Sequence, residues 1–173
     1  MPLLEPVAET EVAEVLRPTF EGMKRKLQVV PHIWQTMAHS PGITQQTLGL
    51  NAAVNHDLDP KLRELAYVHC SRLNHCTYCL HYHLASAQRV GLTAEQTQAE
   101  NLARFIEHHA YNEVEKLVLR FAEEWTRQPK VSAEVIEGLK RHLTPAALVT
   151  LAATCALANW TNKFNESFGV ELP

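Results

Sequence analysis

The hydrophobic positions of this chain recur at helical intervals. Leu62, Leu65, Ala66 and Leu73 form one stripe, and Val114, Leu117, Phe121 and Trp125 form another, with steps of three and four. No run alternates apolar and polar residues with period two, and no Asn-Gly or Asp-Gly hairpin signal occurs. Polar residues mark the helix starts. Ser40-Pro41 and Asp59-Pro60 each place a capping residue ahead of a proline, which suits the first helical turn. Thr93 with Gln96 matches a capping box, and Ser132 and Thr144-Pro145 open two more helices. Thr10 caps a segment to about Val15, which Pro18 interrupts; Gly91 closes one helix and Pro129 ends another. These marks predict an all-α fold, a compact helical bundle forming a single domain over residues 1–173, with no internal repeat.

After Thr144 the pattern changes. Leu148, Val149, Leu151, Ala152, Ala153 and Leu157 make that helix apolar nearly all round. Such a helix must be covered on several sides, so an obligate homo-oligomer is expected. The apolar stretch 146–160 is too short for a comfortable membrane span and contains Thr150, Thr154 and Asn159, so no membrane partner is expected. The opening residues, Met1 to Pro6, lack the basic start and apolar run of a signal peptide, and the expected location is cytoplasmic. At 173 residues, with 46% hydrophobic residues, 20% charged residues and a net charge of −3, the chain can build a core but carries no basic patch for nucleic acid.

The chemistry concentrates in Glu64-Leu-Ala-Tyr-Val-His-Cys-Ser-Arg-Leu-Asn-His-Cys76-Thr-Tyr-Cys79-Leu-His-Tyr-His83. One helix should run from Pro60 to about Leu73, Asn74 should turn the chain, and a second helix should run from Cys76 or Thr77 to Val90. Cys76 and Cys79 then sit at the start of the second arm of a central helical hairpin. Unpaired N–H groups and the helix dipole favour a thiolate there. A spacing of three residues also lets two sulfurs bridge without breaking the backbone. His83, four residues after Cys79, shares its helix face and can take a proton from it. Glu64 comes level with His83 across the hairpin if the bend lies at 73–74, and can then orient the imidazole. A bend at 76 would leave the two offset.

Other roles compete for the same residues. Cys76, Cys79 and His83, with His75, His81 or Glu64 as a fourth ligand, could hold zinc in a non-catalytic module. No second Cys-x-x-Cys or histidine pair completes a standard pattern, so no metal or cofactor is expected. Tyr78 is either a packed aromatic or a supporting hydrogen-bond donor. Cys70 and Cys155 suit buried small positions, and Trp34, Trp125 and Trp160 suit packing stripes. His81 faces away from Cys79, and His108-His109 suits an exposed loop. The charged residues of 113–128, Glu113, Glu115, Lys116, Arg120, Glu123 and Glu124, suit a solvated face with some internal pairing.

The combined spacing of Glu64, Cys76-x-x-Cys79 and His83, followed by an Ala-rich helix and Gly91-Leu92-Thr93, resembles the alkylhydroperoxidase D-like branch of the carboxymuconolactone decarboxylase superfamily. The match is close over about residues 45–105, and the ending from Asn159 to Glu171 is similar to that of many such chains. The resemblance implies an all-helical fold, assembly as trimers or hexamers, and thiol peroxidase activity. By position it makes Cys79 the peroxide-attacking thiolate, Cys76 the resolving thiol, and His83 with Glu64 the proton relay. The implied partners are a hydroperoxide substrate and an external dithiol reductant, with a disulfide reductase or a redox-responsive protein as alternatives on the same site. Well-known members carry a histidine just before the second cysteine, where this chain has Tyr78, a weaker proton acceptor near neutral pH. Decarboxylases proper generally lack the cysteine pair.

Overall fold

The computed structural model describes residues 1–173. It contains helices and connecting turns and no strand. A short 3₁₀ turn, Glu14–Leu16, leads into α1 (Arg17–Leu27), α2 (His32–Met37), α3 (Pro41–Ala53), α4 (Pro60–Leu73) and α5 (Thr77–Arg89). Two single-turn helices follow, α6 (Ala94–Thr97) and α7 (Ala99–Leu102), and then α8 (Glu113–Arg127), α9 (Ala133–Lys140) and α10 (Pro145–Phe168). No helix is long and apolar enough to cross a membrane.

Helix α4 is the axis of the molecule and packs against α5, α8 and α10. Every residue from Glu64 to Ser71 is buried, so this helix has no solvent face over two turns. One core surrounds it through Ala66, Tyr67, Cys70, Phe121, Leu151 and Cys155. A second gathers Leu65, Val68, Leu92, Phe105 and Leu119 on its other side. Full burial of side chains such as Leu65 and Val68 stabilises the fold by roughly 1.5–3 kcal/mol each. A smaller third core joins Val12, Leu16, Phe20 and Val30 at the N-terminal end.

The helix starts lie where their caps predict. Asp59 accepts hydrogen bonds from the N–H groups of Lys61 and Leu62, and Thr144 accepts from Ala147. Thr93 and Gln96 form a reciprocal capping box. Pro18 is a correction: it sits in the first turn of α1 rather than interrupting a helix. A first-turn N–H has no partner within the helix, so its absence from proline costs nothing there. Of the solvated face expected in 113–128, the internal pairing is present, as Arg120–Glu124 and Arg127–Glu123, but two members are corrected. Glu115 and Glu124 are buried, Glu115 capping its own helix and Glu124 accepting from the Ser132 N–H at 2.7 Å. Trp125 and Trp160 are 38% and 44% exposed, so neither is a core residue; the buried stripe of α8 runs instead through Val118, Phe121 and Ala122.

Candidate active site

The bend between α4 and α5 sets the geometry of the cysteines. Asn74 ends α4, and His75 adopts a left-handed conformation, φ 56°. The His75 N–H donates to Arg72 O and the Cys76 N–H to Ser71 O, the paired bonds of a Schellman turn. Glycine usually holds the left-handed position; here histidine does. The Asn74 amide also donates to Asn159 Oδ1 and Asn162 Oδ1, tying the bend to α10. The bend therefore lies at residue 74, and the two arms are in register.

Cys76 caps α5, its sulfur accepting from the Cys79 N–H at 3.4 Å. Asn165 on α10 points its amide at both sulfurs, donating to Cys79 Sγ at 3.2 Å and reaching Cys76 Sγ at 3.9 Å. All four cysteines are free thiols. The pair is asymmetric: Cys76 is 0% exposed, whereas Cys79, 4% exposed, lines a cavity of about 330 Å³. Hydrogen bonding with Cys76, set against burial and reinforced by Asn162, the His83 charge and Asn165, holds the Cys79 thiol down at about 7. The same bond to Cys79 and then burial push Cys76 far up. The sulfur facing the cavity is therefore the one that ionises.

Glu64 and His83 meet across the hairpin, with His83 Nδ1 2.8 Å from Glu64 Oε2. The other carboxylate oxygen accepts from Arg63 Nη2 at 2.9 Å. Burial raises the Glu64 pKa, but the bonds and charges of His83 and Arg63 outweigh it, so the group is held below its ordinary value. The His83 ring stacks on Tyr67 at 3.5 Å between centroids and 11° between planes. The Tyr67 hydroxyl bonds Thr161 Oγ1 at 2.5 Å, and that oxygen lies 4.0 Å from Cys79 Sγ. Burial, and then the Cys79 charge, raise the Tyr67 phenol well above its usual range, so it stays protonated.

Tyr78 is buried, and its hydroxyl accepts from the Ile33 N–H at 3.1 Å. It lines the same cavity and anchors α2 over it. Cys70 and Cys155 are fully buried, as their residue type suggests. The donor atoms of Cys76, Cys79 and His83 do not converge as a metal set. The one three-residue cluster within 4.8 Å is Glu95, His108 and His109, and it contains none of these residues. Sequence reasoning missed Tyr67, Thr161, Asn162 and Asn165. A signal existed: Asn159, Asn162 and Asn165 recur every three residues in an otherwise apolar helix, which marks a polar seam facing something buried.

Fold and site together define an all-α protein with a Cys-x-x-Cys pair, a histidine–glutamate pair and one shared cavity. Residues 41–124 match the carboxymuconolactone decarboxylase family. The matched segment spans just under half of the chain, from the start of α3 to near the end of α8, and includes Glu64, Cys76, Cys79 and His83. A peroxidase-related protein with an alkylhydroperoxidase AhpD core, from Ralstonia eutropha JMP134, superposes with a TM-score of 0.85 at 20% identity, covering 99% of this chain and 92% of that one. A cysteine-to-alanine variant of the debrominase Bmp8, in complex with 2,3,4-tribromopyrrole, gives a TM-score of 0.80 at 22% identity, covering 99% and 91%. A peroxidase-related protein from Silicibacter sp. TM1040 gives 0.78 at 20% identity, covering 94% and 86%. No curated protein matches by sequence.

Proposed function

We propose that this chain reduces hydroperoxides with the Cys79/Cys76 pair as its redox centre. The observation that carries the proposal is the asymmetry of that pair: an ionisable Cys79 at the cavity wall, with Cys76 sealed behind it and both sulfurs within reach of the Asn165 amide. The Cys79 thiolate attacks the terminal peroxide oxygen, the O–O bond breaks, and its electron pair leaves with the alkoxide. His83, held by Glu64, supplies the proton that makes the alcohol. Cys79 is left as a sulfenic acid. The Cys76 thiol then attacks that sulfur, forming the disulfide and expelling water. An external dithiol restores the pair by exchange and is itself oxidised.

Asn165 stabilises the thiolate, and Arg63 keeps Glu64 ionised. Thiol titration after one equivalent of a hydroperoxide tests the cycle. Rapid loss of two thiols supports it; oxidation no faster than that of a free cysteine overturns it. Cys79→Ser should abolish consumption, and Cys76→Ser should trap a sulfenic acid. Equal residual turnover in both variants would contradict the assigned roles.

A second reading draws on the debrominase neighbour and on the aromatic wall of the cavity, Trp34, Tyr78 and Tyr82. The same two thiols could reduce a halogenated aromatic: the carbon–halogen bond becomes carbon–hydrogen, halide leaves, and the disulfide forms. Halide release measured against peroxide consumption separates the two readings.

A further inference from the structure

The thiol chemistry needs only one electrophilic group at the sulfur, and a cavity of about 330 Å³ is much larger than that. Its shape follows α5. Cys79, His83, Ser86 and Arg89 are separated by steps of four, three and three, so they share one face of this helix, and all four line the cavity. At 1.5 Å per residue, ten residues carry the wall about 15 Å from the thiol toward solvent. Ile33, Trp34 and Val54 line it as well. The cavity thus has a sulfur at its inner end, an apolar and aromatic middle, and a guanidinium at its mouth.

Arg89 carries an uncompensated charge. Its Nη2 donates to Ser86 Oγ at 2.8 Å, which steadies the group over the opening, and it makes no ion pair within the chain. Glu64 is the only acid lining the cavity, and both its oxygens are taken, one by Arg63 and one by His83. Arg89 is exposed, and a guanidinium fork favours a planar carboxylate.

We infer that the substrate is an organic anion: an apolar or aromatic body with its reactive group at Cys79 and a carboxylate seated on Arg89. The side chains of α5 lean toward its N-terminus, which shortens the span between the two ends to roughly 10 Å. The identity of the reacting end rests on the peroxidase proposal; the carboxylate seat does not.

Two measurements keep these apart. By calorimetry at low salt, octanoate should bind the intact protein about fivefold tighter than octanamide, the scale of one well-placed ion pair. Arg89→Gln should bring the ratio near one, and Arg89→Lys should keep most of it. Equal binding of acid and amide, or a preference that survives Arg89→Gln, overturns the inference. In turnover, a hydroperoxy carboxylic acid should exceed its methyl ester in kcat/KM by a similar factor, and Arg89→Gln should collapse that ratio. Equal consumption of acid and ester overturns the carboxylate seat and leaves the peroxidase proposal standing. No consumption of either, with the octanoate preference intact, overturns the peroxidase proposal and leaves the seat standing.

Discussion

A thiol buried as deeply as Cys79 would ordinarily resist ionisation, because desolvation penalises the charged form. Here the penalty is offset by donors from two directions, Cys76 on its own helix and the asparagines of α10. The rate of thiol oxidation should therefore rise with pH through about 7 and level off above it, as the thiolate fraction saturates. Asn165→Leu keeps the volume and removes the donor. A hydrogen bond to a charged group contributes about 1.5–3 kcal/mol. The variant should shift the thiolate absorbance titration upward by about one pH unit or more and slow oxidation at neutral pH by on the order of tenfold. An unshifted titration would show that Asn165 does not hold the thiolate. Cys79 and His83 were legible from their spacing in sequence. The recurrence of Asn159, Asn162 and Asn165 marks a polar seam, but not its partner: Asn165 lies 86 residues from the sulfur it contacts, and no local pattern encodes that distance.

At the scale of the element, the decisive piece is the turn after α4. Asn74 was readable as its end, since a polar turn-former follows the last apolar position of the stripe. Placing the bend there brought Glu64 level with His83, as the structure shows. The left-handed residue was not readable, because histidine carries no signal for positive φ comparable to glycine's. An L-residue there costs roughly 1–2 kcal/mol. His75→Gly should therefore raise Tm by a few degrees after allowance for the greater freedom of glycine when unfolded. His75→Val should lower it, since a branched side chain crowds that conformation further. A shift of equal sign in both variants would remove backbone strain as the cause. Capping signals worked well where side chain and backbone met locally, at Asp59, Thr93 and Thr144. Charge misled at Glu115 and Glu124: it suggested solvent, while a capping box and a bond to the Ser132 N–H took them inward.

For the whole molecule, α10 leaves a stripe without cover. Val149 is 69% exposed and Trp160 is 44% exposed, and Ala153 and Ala156 lie between them at helical spacing. Isolated exposed apolar residues need no explanation, but a stripe along one helix favours association. A second copy of the chain is expected to cover it. Sedimentation should show an oligomer that Val149→Glu with Trp160→Glu converts to monomer; a wild-type monomer would refute this. Acid stability offers a separate test. His69 is buried beside Phe105 with neither ring nitrogen partnered, and burial, aided by the Arg127 charge, lowers its pKa to about 4. The folded state thus disfavours the charged imidazole. Stability from this group is fully present above the unfolded value of about 6.5 and is lost as pH falls through about 4, by up to ~3 kcal/mol. His69→Phe should flatten the fall of Tm between pH 6.5 and 4; an unchanged slope would place the titration elsewhere.

The sequence alone determined the helical class, most helix starts, the hairpin and the local spacing of Cys76, Cys79 and His83. All of these depend on neighbours within about four residues, where periodicity and capping act. Tertiary structure alone decided which sulfur faces the cavity, that Asn165 and Thr161 stand beside it, and that Arg89 lines it. Those facts arise from packing α10 and α2 against the hairpin. Desolvation and directed hydrogen bonds act through space, and the order of residues along the chain does not record them.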